Sequence, residues 1–536
     1  MPTPCGDSQN PTPTPAALLP GHAMPGRRAV ARRLVPVGLL AMALLWTLSA
    51  SLFFPTPPWD NVEELFWARS FEFGYYKHPP LPSWIMGVLV RIAGPQPWLT
   101  YAAGILCGTA ALAMVWMWAR ELTGPRRAAL ALLLGTLVTY HVQRAVVFNH
   151  NTVQLVSIAG YWWMLWRVLA RPDARWRDWM ALGAFAGLAL LTKYSAVVQL
   201  AVGFGFIAWQ GVWREARVRR GMGVAAAVAL LLFAPHLVWV LGHHGESAAY
   251  AMASVHPQAH DAHSQIALLK MVRLQFVRLA PMLAVLAWAW WARPRASSSP
   301  VAVSEAGTDV DRRFLAWAAF GPLVAVVVVA ALLEVRIVPA WLTTFFLPLP
   351  LWAVLRWPGL EAERWSPRRW RVLLGVVVAA HVLAAVGQGL FDGALGRRFG
   401  HAACTNLPAD DIAVAVQTVW AERTGGQPLR LLVGDTWFAG AVALKAGPQV
   451  DLLVDGEARD SPWLAPGTLA REGGMVLILD TPGFESQGPK LPALLASARC
   501  GGRLQLPWAG GGSPTQVDLR WGIVLPASVG APACVR

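Results

Sequence analysis

Charge is what this sequence lacks. Only 14% of its 536 residues are Asp, Glu, Lys or Arg, against about 25% in a soluble domain, which excludes an ordinary water-soluble enzyme. Cysteine is sparse as well, with five residues. Cys5 lies in the N-terminal tail and Cys107 in an apolar run. Cys404, Cys500 and Cys534 lie in the polar C-terminal part, where two of the three could pair if that part is outside the cytoplasm. The connectivity is not fixed by spacing. No internal repeat is visible of the kind common in transporters.

What the chain has instead is apolar sequence in long unbroken runs. Hydrophobic residues make up 55%, and mean hydropathy is +0.44. Leu34 to Phe54 carries no charge and one proline, and a bilayer span needs roughly 20 such residues. The net charge of +15 would suit a nucleic-acid binder. The arginines, however, sit in short clusters between apolar runs, the pattern of cytoplasmic loops, so no nucleic-acid partner is expected.

Arginine placement gives a topology. Residues 1–33 are rich in Pro, Thr and Ala and read as a disordered cytoplasmic tail. The run from Leu34 is too long for a signal-peptide core and is expected to stay as the first helix. Clusters at Arg126 and Arg127, Arg171 to Arg177, Arg214 to Arg220, Arg293 and Arg295, and Arg364 to Arg371 then mark the inner side. Single helices are expected to run out to Phe148 and back along Pro339 to Leu355. Leu81 to Ile92 is too short to span and is expected to lie in the interface. The expected fold class is an all-α polytopic membrane protein with about eleven transmembrane helices over residues 34–392. A C-terminal α/β domain outside the cytoplasm follows over 393–536, since strand-like runs recur at Leu429 to Val433, Val450 to Val454, Met475 to Leu479 and Val517 to Val524, with a helix at Asp411 to Glu422.

That topology gathers Asp60, Glu63, Glu64, Lys77, His78, Arg144, Asn149, Asn151, Lys193, His236 and Arg336 at or near the outer face. Scattered charge costs little at helix ends, so it is the convergence that points to chemistry. Arg144 lies inside its expected helix end, where an ionisable residue is expensive and faces a partner or cavity. A carboxylate beside several cations at the lipid–water boundary suits a proton-abstracting base and an anionic lipid head group. The same features occur in transporters and lipid flippases, the competing class.

The segment Trp59-Asp60-Asn61-Val62-Glu63-Glu64, followed by Gly74-Tyr75-Tyr76-Lys77-His78-Pro79-Pro80-Leu81, resembles the first outer loop of the dolichyl-phosphate-mannose protein mannosyltransferase family. Its bacterial relatives include the aminoarabinose transferase acting on lipid A, and all are GT-C membrane glycosyltransferases. Leu191-Thr192-Lys193-Tyr194, Ala234-Pro235-His236-Leu237 and Arg336 ahead of Trp341 to Leu351 echo it, so the resemblance covers Leu34 to Leu355. Asp60 falls on the family's Asp. Asn61 falls on its Glu, and Asn151 stands near where many relatives carry an Asp.

The resemblance implies an inverting glycosyltransferase that takes a hexosyl or pentosyl group from a polyprenyl-phosphate donor in the bilayer. The acceptor would be a hydroxyl of a protein, lipid A or cell-envelope glycan at the outer face of the bacterial inner membrane. Asp60 would be the catalytic base, or else the N-cap of an amphipathic helix over Val62 to Phe73. Lys193 and Arg336 would meet the donor phosphate, with Lys77 and Arg144 behind them, while His78, Asn151 and Tyr194 would touch substrate. With two acids replaced by amides, a carboxylate-bound divalent cation is disfavoured. A possible metal site remains at His243, His244, His256, His260 and His263; no metal ligand is assigned.

Overall fold

The computed structural model describes residues 25–255, 265–292, 308–333, 337–357, 359–486, 488–508 and 515–526. Two compact units divide the chain, Met1–Met42 and Ala43–Arg536. The described part of the first belongs to helix α1 (Pro25–Phe53), whose stretch Leu34–Phe53 is long and apolar enough to cross a bilayer.

The second unit continues with α2 (Trp59–Trp67), α3 (Leu81–Ala93), α4 (Pro97–Thr123), α5 (Pro125–Thr136), α6 (His150–Ala170), α7 (Trp176–Thr192), α8 (Ala196–Trp209), α9 (Ala216–Gly242), α10 (Glu246–Val255), α11 (Gln265–Trp291), α12 (Asp309–Leu333), α13 (Leu349–Arg356) and α14 (Pro367–Phe391). Prolines open several of these, where a missing N–H costs nothing. Among the described residues six helices are long and apolar enough to span: α1, α4, α9, α11, α12 and α14. The stretch expected to lie in the interface is a separate 13-residue helix, α3.

Two expected single helices are broken. The run that ends at Phe148 is helical only to Thr136, then turns irregularly to a short 3₁₀ segment at Gln143–Val146. Pro339 to Leu355 is 3₁₀ over Pro339–Phe346 before α13. The two breaks touch: the Tyr140 hydroxyl donates to the Pro339 carbonyl at 2.9 Å, and its ring stacks on Phe346. Irregular backbone is tolerated at membrane depth only where protein covers it, and Leu137, Val138, His141, Val142, Ala145, Val146 and Phe148 are all buried. Close approach is bought by two glycines of α4. A Cβ on Gly104 would stand 2.0 Å from the Ala145 carbonyl oxygen, and one on Gly108 2.1 Å from that of His141, so only a small residue lets this segment seat.

The C-terminal part adds α15 (Ala394–Arg398), α16 (Ala409–Thr424), α17 (Phe438–Ala446), α18 (Thr468–Glu472) and α19 (Leu491–Ala496) around a five-stranded sheet. Its strands are β1 (Leu431–Gly434), β2 (Asp451–Val454), β3 (Gly474–Leu479), β4 (Cys500–Pro507) and β5 (Gln516–Val524), in the order β2-β1-β3-β5-β4. The first three are parallel; β5 runs antiparallel to β3, and β4 to β5. Cys500 is disulfide-bonded, whereas Cys404 and Cys107 are free thiols.

Helix α2 joins the layers. Val62 and Phe66, one turn apart, enter the core of the α/β part with Leu407, Trp437, Phe438 and Leu452. Leu65 and Ala68, on its other side, pack with Met86, Leu99, Ala103 and Phe148 of the helical part. An Arg69–Asp451 ion pair and a Trp59–Trp437 stack 6.3 Å between ring centroids fasten its ends. The helix stops at Trp67 rather than Phe73, because the Tyr75 hydroxyl bonds the carbonyls of Trp67 and Ser70 at 3.0 and 2.9 Å and turns the chain back.

Candidate active site

Asp60 stands in the first turn of α2. It is not the N-cap: Pro58 holds that place, with no side-chain cap bond. Its Oδ2 accepts a 2.6 Å hydrogen bond from Asn149 Nδ2. Asn149 in turn caps α6, its Oδ1 accepting from the backbone N–H groups of Asn151 and Thr152 at 2.9 and 3.0 Å. A short amide side chain at an N-cap is the expected local chemistry, and here its free end fixes the acid.

Asn61 explains itself by its bonds. Its Nδ2 donates to Thr100 Oγ1 at 2.7 Å and to the Val146 carbonyl at 3.0 Å, and its Oδ1 accepts from Phe148 N at 2.9 Å. A carboxylate cannot donate, so an acid here would lose two partners while fully buried. Asn61 is therefore a pin between α2 and the broken segment before α6.

Glu63 and Glu64 are both buried. Glu63 accepts from Lys77 Nζ at 2.5 Å. Burial alone would push the Lys77 ammonium down, but Glu63 beside it holds it well above its ordinary range. Glu64 accepts from Ser83 Oγ at 2.8 Å, and burial pushes its carboxyl well up. His78 lies against His150, ring centroids 3.7 Å apart, with Trp67 and Tyr250 edge-on. Burial, and after it the charges of Lys193 and Lys77, hold the His78 ring well below its ordinary pKa, so it is neutral.

Lys193 follows the last residue of α7. Its Nζ donates to Asn151 Oδ1 at 2.7 Å and lies 4.9 Å from the centroid of the Trp341 ring. The side chain is buried, with 7% of the residue exposed. Arg144 sits in the 3₁₀ break, within electrostatic reach of Arg278 of α11, Tyr140, Asp60 and Asp392. Arg278 lies 5.9 Å from the Tyr140 ring centroid, and its buried Nε has no hydrogen-bond partner. Among the described residues no carboxylate forms an ion pair with Lys193, Arg144 or Arg278.

Tyr194 is tied into the scaffold. Its hydroxyl donates to His236 Nε2 at 2.8 Å and pairs with Ser247 Oγ at 2.6 Å. The His236 Nδ1–H points at the Phe73 carbonyl, 2.7 Å away, which sets this tautomer. Gly74 of the same loop abuts the Trp239 ring, with no space for a Cβ. Arg336, His256, His260 and His263 lie outside the described residues; His243 and His244 are exposed. Among the described residues no three His, Cys, Asp or Glu side chains converge as a metal site, and the amides and ammonium near Asp60 make a poor set for a hard cation.

The structure thus brings Asp60, Asn151, Lys193 and Arg144 together around the start of α6, with His78 against its first residue. It assigns Lys77 to Glu63 and Tyr194 to His236. Asn149's hold on Asp60, His150 and Arg278 were not legible in advance. An arginine inside the apolar stretch Met271–Trp291 was the signal available for Arg278, since such residues mark functional sites by default.

Residues 77–239 match the family described as dolichyl-phosphate-mannose-protein mannosyltransferase. Over 448 residues, 78% of this chain and 81% of the relative, the sequence is 25% identical to the lipopolysaccharide core galacturonosyltransferase RgtA of Rhizobium johnstonii. Over 191 residues, 34% of this chain and 38% of the relative, it is 27% identical to the lipid A galacturonosyltransferase RgtD of the same organism. The fold is similar to that of ArnT from Cupriavidus metallidurans. For the structure bound to undecaprenyl phosphate the TM-score is 0.58 at 14% identity, covering 93% of this chain and 98% of that one. For the apo structure the TM-score is 0.59 at 16% identity, covering 92% and 98%.

Proposed function

We propose that this chain, a multi-pass membrane glycosyltransferase of the GT-C fold, transfers a sugar from a polyprenyl-phosphate carrier to a hydroxyl of lipid A or the lipopolysaccharide core. The reaction would take place at the outer face of the bacterial inner membrane, with residues 393–536 outside the cytoplasm. One observation supports the reading: a carboxylate held by a helix-capping amide stands among cations that, among the described residues, form an ion pair with no acid. The undecaprenyl phosphate of the ArnT structure supports the carrier. The names of RgtA and RgtD support the acceptor class and make a hexuronic acid the sugar to test first.

In the reaction the acceptor oxygen attacks the anomeric carbon as Asp60 takes its proton. The bond from that carbon to the phosphate oxygen breaks, and its electron pair leaves with the polyprenyl phosphate. Attack and departure occur on opposite faces, so configuration inverts. General-base help contributes about 100- to 10,000-fold. Arg144 and Arg278 face the growing phosphate charge: their forked donors suit it, and fixed cations need no reorganisation as charge develops. Glu64, its carboxyl pushed well up by burial and bonded to Ser83, and Glu63, tied to Lys77, are withdrawn from proton transfer.

The test is transfer of labelled sugar from a synthetic polyprenyl-phosphate donor to purified lipid A and to core oligosaccharide-bearing lipid by the full-length protein in lipid vesicles. Labelled glycolipid is the expected product. Movement of donor or solute across the vesicle with no glycolipid formed would instead favour a transporter or flippase.

A further inference from the structure

The site holds more positive charge than one phosphate needs. Arg144 and Arg278 form one cationic group. Lys193 is a second, bonded to an amide and an aromatic face. A buried ammonium whose direct contacts are all neutral is costly, and Asp60 acts on it without forming an ion pair, so the site suits an anion that arrives with substrate.

Which anion follows from the direction of displacement. Asp60 and Lys193 both bond the opening turn of α6, Asp60 through Asn149 and Lys193 directly through Asn151. Lys193 therefore shares the base's side of the reaction centre. In an in-line displacement the leaving phosphate lies on the opposite side from the base. Lys193 is thus well placed for a negative group on a sugar ring held beside the base.

Resting on the transferase reading above, we propose that Lys193 recognises the carboxylate of a hexuronosyl donor, and that Asn151 is the specificity-determining residue that orients this lysine without neutralising it. An amide oxygen orients the ammonium while leaving its charge and remaining protons for the ligand. A carboxylate in that place would form the ion pair itself and compete with the sugar.

The experiment compares two donors with the full-length protein, polyprenyl phosphate carrying a hexuronosyl group and polyprenyl phosphate carrying the matching neutral hexosyl group. The readout is the ratio of their kcat/KM values. The wild type should favour the uronosyl donor, and Asn151→Asp should lower the ratio by about 10- to 150-fold, the range of a hydrogen bond to a charged group. Lys193→Met is the second variant, with the same expected fall should the first not fold. Unchanged ratios in the folded variants would overturn the inference and leave the transferase standing, because loss of a phosphate or acceptor contact lowers both donors alike. A wild type that turns over neither donor would overturn both.

Discussion

Asn149 caps α6 with one end of its amide and holds the Asp60 carboxylate with the other, 2.6 Å away. The acid's position is thus set by the start of a different helix. Asp60→Asn should lower kcat by about 100- to 10,000-fold with little change in donor KM and no loss of folded protein by size-exclusion chromatography. Asn149→Ala should lower kcat less and also cost about 1 kcal/mol of stability through the lost cap. Full activity in Asp60→Asn would remove the base assignment.

Asn61 gives an opposite expectation from the one a restored acid suggests. Asn61→Asp puts a carboxylate opposite the Val146 carbonyl and deletes both donations. An unsatisfied buried group costs about 1–3 kcal/mol, so thermal unfolding in detergent should begin several degrees lower, with activity reduced. A variant as stable as the wild type would contradict the pin.

Arg144→Ala and Arg278→Ala should each weaken the donor phosphate. Steady-state kinetics against a fixed acceptor should show donor KM raised and kcat lowered together, and the double variant should lose less than the product of the two, because neighbouring groups are not additive. Strict multiplicativity would argue that the two guanidinium groups act separately.

The pH profile should report Lys193. Burial pushes its ammonium down to about 7, with Asp60 pulling the other way. Below that pH the free enzyme carries the proton; above it the proton is lost. The donor kcat/KM should therefore fall about tenfold per pH unit on the alkaline side, while kcat, measured with an anion bound beside the ammonium, should fall only at higher pH. Lys193→Arg should remove the alkaline limb, since guanidinium stays charged. A wild-type profile level through about pH 9 would refute this.

The sequence exposed the parts that repeat a simple period or sit in a dense motif. Apolar runs located the spans, short strand-like runs located β1, β2, β3 and β5, and the loop around Gly74 to Leu81 pointed to Asp60. The breaks at residues 137–149 and 339–348 stayed hidden because protein-covered irregular backbone needs the same apolar residues as a helix; Leu137, Val138 and Val142 look alike in either. Strand β4 opens Cys500-Gly501-Gly502, a poor strand signal, and pairs only because β5 offers its edge. The Lys77–Glu63 pair stayed hidden because nothing in the chain announces that an acid fourteen residues earlier meets this lysine.

The helix that carries Asp60 has consequences for how the protein matures. Val62 and Phe66 on one side of it are covered by residues of the C-terminal part, Trp437, Phe438 and Leu452 among them. Until the ribosome has made the C-terminal part, that surface lacks these partners. The membrane portion can insert in sequence, but the helix bearing Asp60 gains this cover only once the sheet has formed, so a chain stopped before the sheet is expected to lack transferase activity.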